Sequence, residues 1–188
     1  MITFVTDYLH HLSKVLNSLD IDQINNVVKL IKEANNIYVI GNGGSSALSD
    51  HFVVDLIKFG NKKAYSLSSP SLYSMLVNDY GHSHSFKWVV DKLCVKNDLV
   101  IGITTSGKSE NILRALIGNN KIKSVLMTGK SGKKIAQEMD GYIVVDDTHT
   151  QTLEDVFSIL CHMISIRVGE EKQDNWINKL NKEHTGGK

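Results

Sequence analysis

The chain has 188 residues, 41% of them hydrophobic and 22% charged, with 21 Lys plus Arg against 20 Asp plus Glu and a formal net charge of +1. That balance excludes wholesale disorder and a protein that works by neutralising nucleic-acid phosphates, and the length predicts one domain. No apolar run approaches the roughly 20 residues of a membrane-spanning helix, and the start Met1-Ile2-Thr3-Phe4 lacks the basic region of a secretory signal. The expectation is a cytoplasmic protein without membrane or nucleic-acid partners, its two cysteines, Cys94 and Cys161, reduced and buried.

Residues 1–36 carry apolar side chains at three- and four-residue steps: Phe4, Tyr8, Leu12, Val15, Leu16 and Leu19, then Ile24, Val27, Val28, Leu30 and Ile31 after Asp20. This predicts two helices that belong to the same domain as residues 37–170. Ile37 to Ile40 is a short apolar run that stops at Gly41, the pattern of a buried parallel strand. A helix over 45–59, a strand over 64–67 and helices over 71–77 and 86–93 come next. Strands over 98–104, 124–127 and 142–145 alternate with helices over 109–117 and 133–138. A long apolar helix over 150–168 closes the domain of 37–170, and 171–188 reads as a polar tail in which Trp176 is a packing or interface anchor. Such alternation predicts an α/β domain, a three-layer αβα sandwich with a mostly parallel sheet. The Met and aromatic positions read as core.

Two loops follow strands and open helices. Gly41-Asn42-Gly43-Gly44-Ser45-Ser46 permits positive φ and close approach of a ligand to the backbone, without matching a P-loop or a full dinucleotide fingerprint. Alone it is equally well a tight turn. Thr104-Thr105-Ser106-Gly107-Lys108-Ser109 carries four hydroxyls within six residues, which suits the oxygens of a phosphate monoester. Ser109 also suits an N-cap. Loops at the carboxyl ends of strands meet at the ligand crevice of an open α/β sheet.

His51 and Asp55 are four apart on a predicted helix, so they share a face and suit a shared divalent ion; the bland alternative is a surface helix with incidental polar residues. Glu154 and His162 share a face of the last helix, about 12 Å apart along its axis. They converge poorly on one ion within one chain, which favours a site built between subunits. His162 is otherwise a core histidine among Ile159, Leu160, Met163 and Ile164. His82 and His84 offer imidazoles to a ligand set but read better as exposed loop residues near the site, and Asp146-Asp147 with His149 reads as turn formation and capping before the last helix, a ligand contact by Asp147 being the weaker alternative.

Taken together, Gly41 to Ser45, His51-Phe52, Val77 to Gly81, Gly102 to Leu113 and the segment from Asp146 to His162 resemble the phosphoheptose isomerase (sedoheptulose 7-phosphate isomerase) family of SIS domains. The resemblance runs over about residues 20–168. It implies a flavodoxin-like SIS fold and a cytoplasmic homotetramer with zinc at subunit interfaces. The implied reaction is aldose–ketose isomerisation of a sugar phosphate, feeding heptose synthesis for lipopolysaccharide or capsule. It implies substrate contacts at Asn42, Gly43, Gly44, Ser45, Asp55, Asn78, Asp79, Thr104, Thr105, Ser106 and Ser109. Metal and catalytic positions fall on His51, Asp55, Glu154 and His162. The family usually has Glu at Asp55, Gln at Glu154, His at Phe157, Ser at Thr104 and Asn at Lys108.

Isomerisation through an enediol needs a base for the carbon-bound proton and an acid for the oxygens. One assignment makes Asp55 the base and His162 the acid, with a metal polarising the carbonyl. Asp is shorter than Glu by about 1.5 Å, and misplacement by about 1 Å can cost about a hundredfold. Either the substrate therefore sits closer to Asp55, or Asp55 is mainly a ligand and Glu154 is the base. Competing readings are an isomerase of another ketose phosphate, and a noncatalytic SIS module that senses a sugar phosphate or binds a protein partner.

Overall fold

The computed structural model describes residues 2–119 and 121–169. The predicted tail, Trp176 included, lies outside the described residues. Helices α1 (Ile2–Asn17) and α2 (Ile21–Glu33) precede β1 (Ile37–Gly41), α3 (Gly44–Lys58), β2 (Ala64–Ser66), α4 (Pro70–Tyr80) and α5 (Ser85–Leu93). Then come β3 (Leu99–Thr104), α6 (Glu110–Leu116), β4 (Lys123–Gly129), α7 (Lys133–Ala136), β5 (Gly141–Val145) and α8 (Thr150–Val168). Asp20 caps α2 by accepting the N–H groups of Asp22 and Gln23, and Pro70 occupies the first turn of α4, where its missing N–H costs nothing. The α4 helix runs three residues past its predicted end, through Asn78 and Asp79, until Gly81 turns the chain at φ 75°.

Among the described residues the five strands are all parallel, in the order β2-β1-β3-β4-β5. This is the flavodoxin-like order, with its switch point between β1 and β3. Both central strands are buried along their whole length, as continuous apolar runs require. Edge strand β5 alternates, leaving Tyr142 and Val144 half-buried. Alternate strand residues feed two cores. Val39, Ile101, Ile103 and Met127 meet α1, α2, α3 and α8 on one face, while Tyr38, Ile40, Val100 and Leu126 meet α4, α5, α6 and α7 on the other.

Not every Met and aromatic residue is core. Phe4 is 73% exposed and Met163 44%. The α1 helix touches the body through Tyr8, His11, Leu12, Val15 and Leu16, away from Phe4, and Met163 shares the outward face of α8 with His162. Phe157, one turn below His162, is fully buried between α8 and the sheet. Phe157→Ala is expected to lower unfolding free energy by about 3–5 kcal/mol in urea melts, since it leaves a cavity that the packed layers cannot fill.

Both cysteines are free and buried. Burial first, then Asp98 and Asp91, push the Cys94 thiol up to about 12, and burial with the Asp55 carboxylate raises Cys161. A raised pKa keeps each sulfur protonated and unreactive at neutral pH. A thiol reagent at pH 8 is expected to leave both untouched in the folded protein and to titrate both in denaturant; prompt native reaction at either would contradict this.

Candidate active site

The two loops flank the switch point. Gly43, at φ 54°, lets the backbone turn from β1 into α3 in a conformation that side chains resist. At Gly44 a Cβ would meet the Glu154 carboxylate, the movable end of a side chain that lies over the loop from α8. Asn42 and Asn111 exchange a reciprocal pair of amide hydrogen bonds at 2.9 and 3.0 Å, tying the first loop to α6 behind the second. A cleft of about 310 Å³ opens beside them, lined by Gly41, Asn42, Gly43, Ser46, Tyr73 and His82 among others.

In the second loop, Thr104 and Ser109 hydroxyls bond each other at 2.9 Å and the Lys108 N–H donates to Ser106 Oγ at 3.2 Å. Ser109 takes the N-cap position of α6 but makes no side-chain cap bond there. The Thr105 carbonyl accepts the Gly129 N–H at 3.1 Å, which fixes the loop against the end of β4. Ser45 is buried at the start of α3, its carbonyl accepting the Ser49 hydroxyl at 2.8 Å. Asn78 and Asp79 stand exposed on the last turn of α4, bonded to each other at 2.7 Å. The cleft takes Tyr73 and His82, from either side of them in the chain.

The α3 and α8 helices pack side by side and run in the same direction, so two levels form between them. At the upper level Glu154 faces Gly44. At the lower level His51 Nε2 meets His162 Nε2 at 2.7 Å, and both face Asp55 Oδ2, at 3.4 and 3.6 Å. His51, Asp55 and His162 thus converge within one chain, and Glu154 joins the loop instead. A second subunit is not required to assemble those three. His162 is neither buried nor bonded to a carbonyl through its ring; its side chain is 50% exposed.

Asp55 Oδ2 is buried and accepts no hydrogen bond. A bare carboxylate oxygen is costly in the interior, and two ring nitrogens aimed at it complete a donor set that suits a zinc-type cation. His51, Asp55 and His162 therefore fit a divalent transition metal.

The sequence reading misses Asn111, Tyr73, Ser46 and the partnership of Glu154 with Gly44. Asn111 lies inside the Gly102 to Leu113 motif, and an amide in the first turn of α6 is its available signal.

No protein-family model matches the chain. It is 32% identical to the phosphoheptose isomerase of Aquifex aeolicus over 152 residues, 77% of this chain and 80% of that protein. It is 33% identical to the phosphoheptose isomerase of Helicobacter pylori (strain Shi470) over 172 residues, 84% and 90% of the two. Its fold matches the solved phosphoheptose isomerase GmhA from Neisseria gonorrhoeae with a TM-score of 0.80 and 23% identity, covering 90% of this chain and 96% of that one. The SIS fold read from the loops is the fold observed, and the chain belongs to the phosphoheptose isomerase family, as an enzyme of the isomerase class.

Proposed function

We propose that the protein interconverts sedoheptulose 7-phosphate and D-glycero-D-manno-heptose 7-phosphate through an enediol, in the cytoplasm, for a heptose-containing bacterial surface polysaccharide such as lipopolysaccharide or capsule. The observation that carries this reading is the convergence of His51, Asp55 and His162 beneath a glycine loop at the switch point, in a chain of this family.

The roles follow from position. Thr104, Thr105, Ser106 and Ser109 offer hydroxyls and backbone N–H groups to the phosphate. Asn42, Gly43, Gly44 and Ser45 present the β1 loop to the sugar, with Asn78 and Asp79 closing from α4. His51, Asp55 and His162 would hold zinc, or another divalent metal, which when bound polarises the sugar carbonyl. Asp55 is only 4% exposed and its free oxygen points at the two imidazoles. That position favours a ligand over a base. Glu154 stands at the loop, against Gly44, where a carboxylate reaches a substrate held by that loop. It is the better base for the carbon-bound proton, with His162 placed to serve the oxygens. Exposed Val54 and Ile57 on α3 and Phe4, Val5 and Leu9 on α1 offer apolar surface for the family's homotetramer.

The test is turnover of C5, C6 and C7 ketose phosphates by purified protein, stripped with chelator and then given zinc. Zinc-restored conversion of the C7 substrate is expected. A wide preference for a C6 substrate would sink the heptose assignment. Tight sugar-phosphate binding without turnover would point to a sensing module.

A further inference from the structure

A second cluster of three donors lies at the carboxyl end of β5. His11 Nε2 is 2.5 Å from Asp147 Oδ2, and His149 Nδ1 is 3.0 Å from Asp147 Oδ1. One ligand atom from each residue falls within 4.8 Å of the other two. His11 comes from α1, while Asp147 and His149 lie between β5 and α8, far along the chain.

The turn before α8 accounts for one carboxylate oxygen only. Asp147 Oδ1 accepts the N–H groups of Thr148 and His149 at 2.5 and 2.7 Å, as a turn and cap would have it. Oδ2 is left for an imidazole delivered by another element. The Asp147 side chain is 3% exposed, whereas the two rings are 44% and 75% exposed. Burial works to raise the Asp147 pKa. Hydrogen bonds from the His149 backbone, the His11 and His149 rings and the Thr148 backbone outweigh it and hold it at about 2. Nearby Lys130 does not compete for Asp147, since its ammonium pairs with Asp146 at 3.0 Å.

We propose that His11, Asp147 and His149 form a second divalent transition-metal site, which pins α1 to the corner between β5 and α8. Two imidazoles and one carboxylate suit zinc, cobalt or nickel, where magnesium and calcium prefer oxygen alone. The exposed rings leave coordination positions to water, so the site is open and exchangeable. Its placement gives it a structural lever. The Asp147 carbonyl accepts the Lys130 N–H at 3.0 Å, and the adjoining Gly129 N–H donates to Thr105 in the hydroxyl loop. On the α1 side, the Tyr8 hydroxyl donates to Asp155 of α8 at 2.6 Å. An ion here ties α1 to the same corner that braces the hydroxyl loop.

Cobalt binding to the full-length chain tests this. The double variant Asp55→Asn with His162→Ala removes the site under α3. In that background one cobalt per chain is expected, with visible ligand-field bands, and adding His11→Gln with His149→Gln should abolish it. Both rings are exposed, so circular dichroism should report an unchanged fold. Absence of cobalt from the first background, or its persistence after the second pair of changes, overturns the proposal. Wild-type protein supplies a check that needs no substitution. Zinc titration should shift the ring resonances of His11 and His149 as well as those of His51 and His162; movement of the latter pair alone also overturns it. Loss of C7 turnover would not bear on this site, because neither readout uses the reaction.

Discussion

Glu154→Gln is expected to lower kcat by about 10²–10⁴-fold with little change in KM, the usual range for removing a positioned general base. The amide keeps the size of the side chain and its packing against Gly44 but cannot take a proton. Zinc binding should persist in this variant, because Glu154 stands one level above the three converging donors. That split separates the two assignments of the carboxylates. If Glu154→Gln retained full turnover while Asp55→Asn abolished it with zinc still bound, Asp55 would be the base. If Glu154→Gln lost zinc together with activity, Glu154 would be a ligand, the role the family resemblance implies for its position. A steady-state pH profile adds a second readout. Removing the base should remove the acid limb of kcat, since that limb reports the ionisation of the group that must be deprotonated.

The sandwich is legible in the sequence because its two periodicities are clean. Ile37 to Ile40 and Leu99 to Ile103 are unbroken apolar runs, and both are central strands buried on both faces. The helix spacing around Val27, Val28 and Ile31 likewise places α2 on the sheet. Periodicity says which face of an element is apolar, but not what meets the other face. Hence Phe4 on α1 and Met163 on α8 read as core and are exposed. The site is legible in part for the same reason. His51 and Asp55 are four apart and have to share a face. Glu154 and His162 are too far apart to converge, as their spacing says, but the parallel course of α3 beside α8, which lets each find a different partner within one chain, is a tertiary fact. The Asn42–Asn111 pair joins residues 69 apart and the His11–Asp147 contact joins residues 136 apart. No local pattern in the sequence announces either.

Asp55→Asn is expected to abolish zinc binding under α3, lowering affinity by more than about a hundredfold, since the loss of supporting residues alone costs up to that. The same change should leave the metal-free protein at least as stable as the parent. The reason lies in the surroundings of the carboxylate: Asp55 is 4% exposed, Oδ2 accepts no hydrogen bond, and the imidazoles that face it at 3.4 and 3.6 Å stand at the long end of an ion pair. Holding that charge in the interior is costly without a cation, and a neutral amide of the same shape removes the cost. Zinc, by binding only the folded parent, stabilises it by mass action, and the variant forfeits that gain. Thermal melts with and without zinc should therefore cross over. The variant melts at or above the parent after chelation and well below it when zinc is saturating. A variant that melts far below the metal-free parent would show that Asp55 instead holds the fold together, and would remove the argument for a ligand at that position.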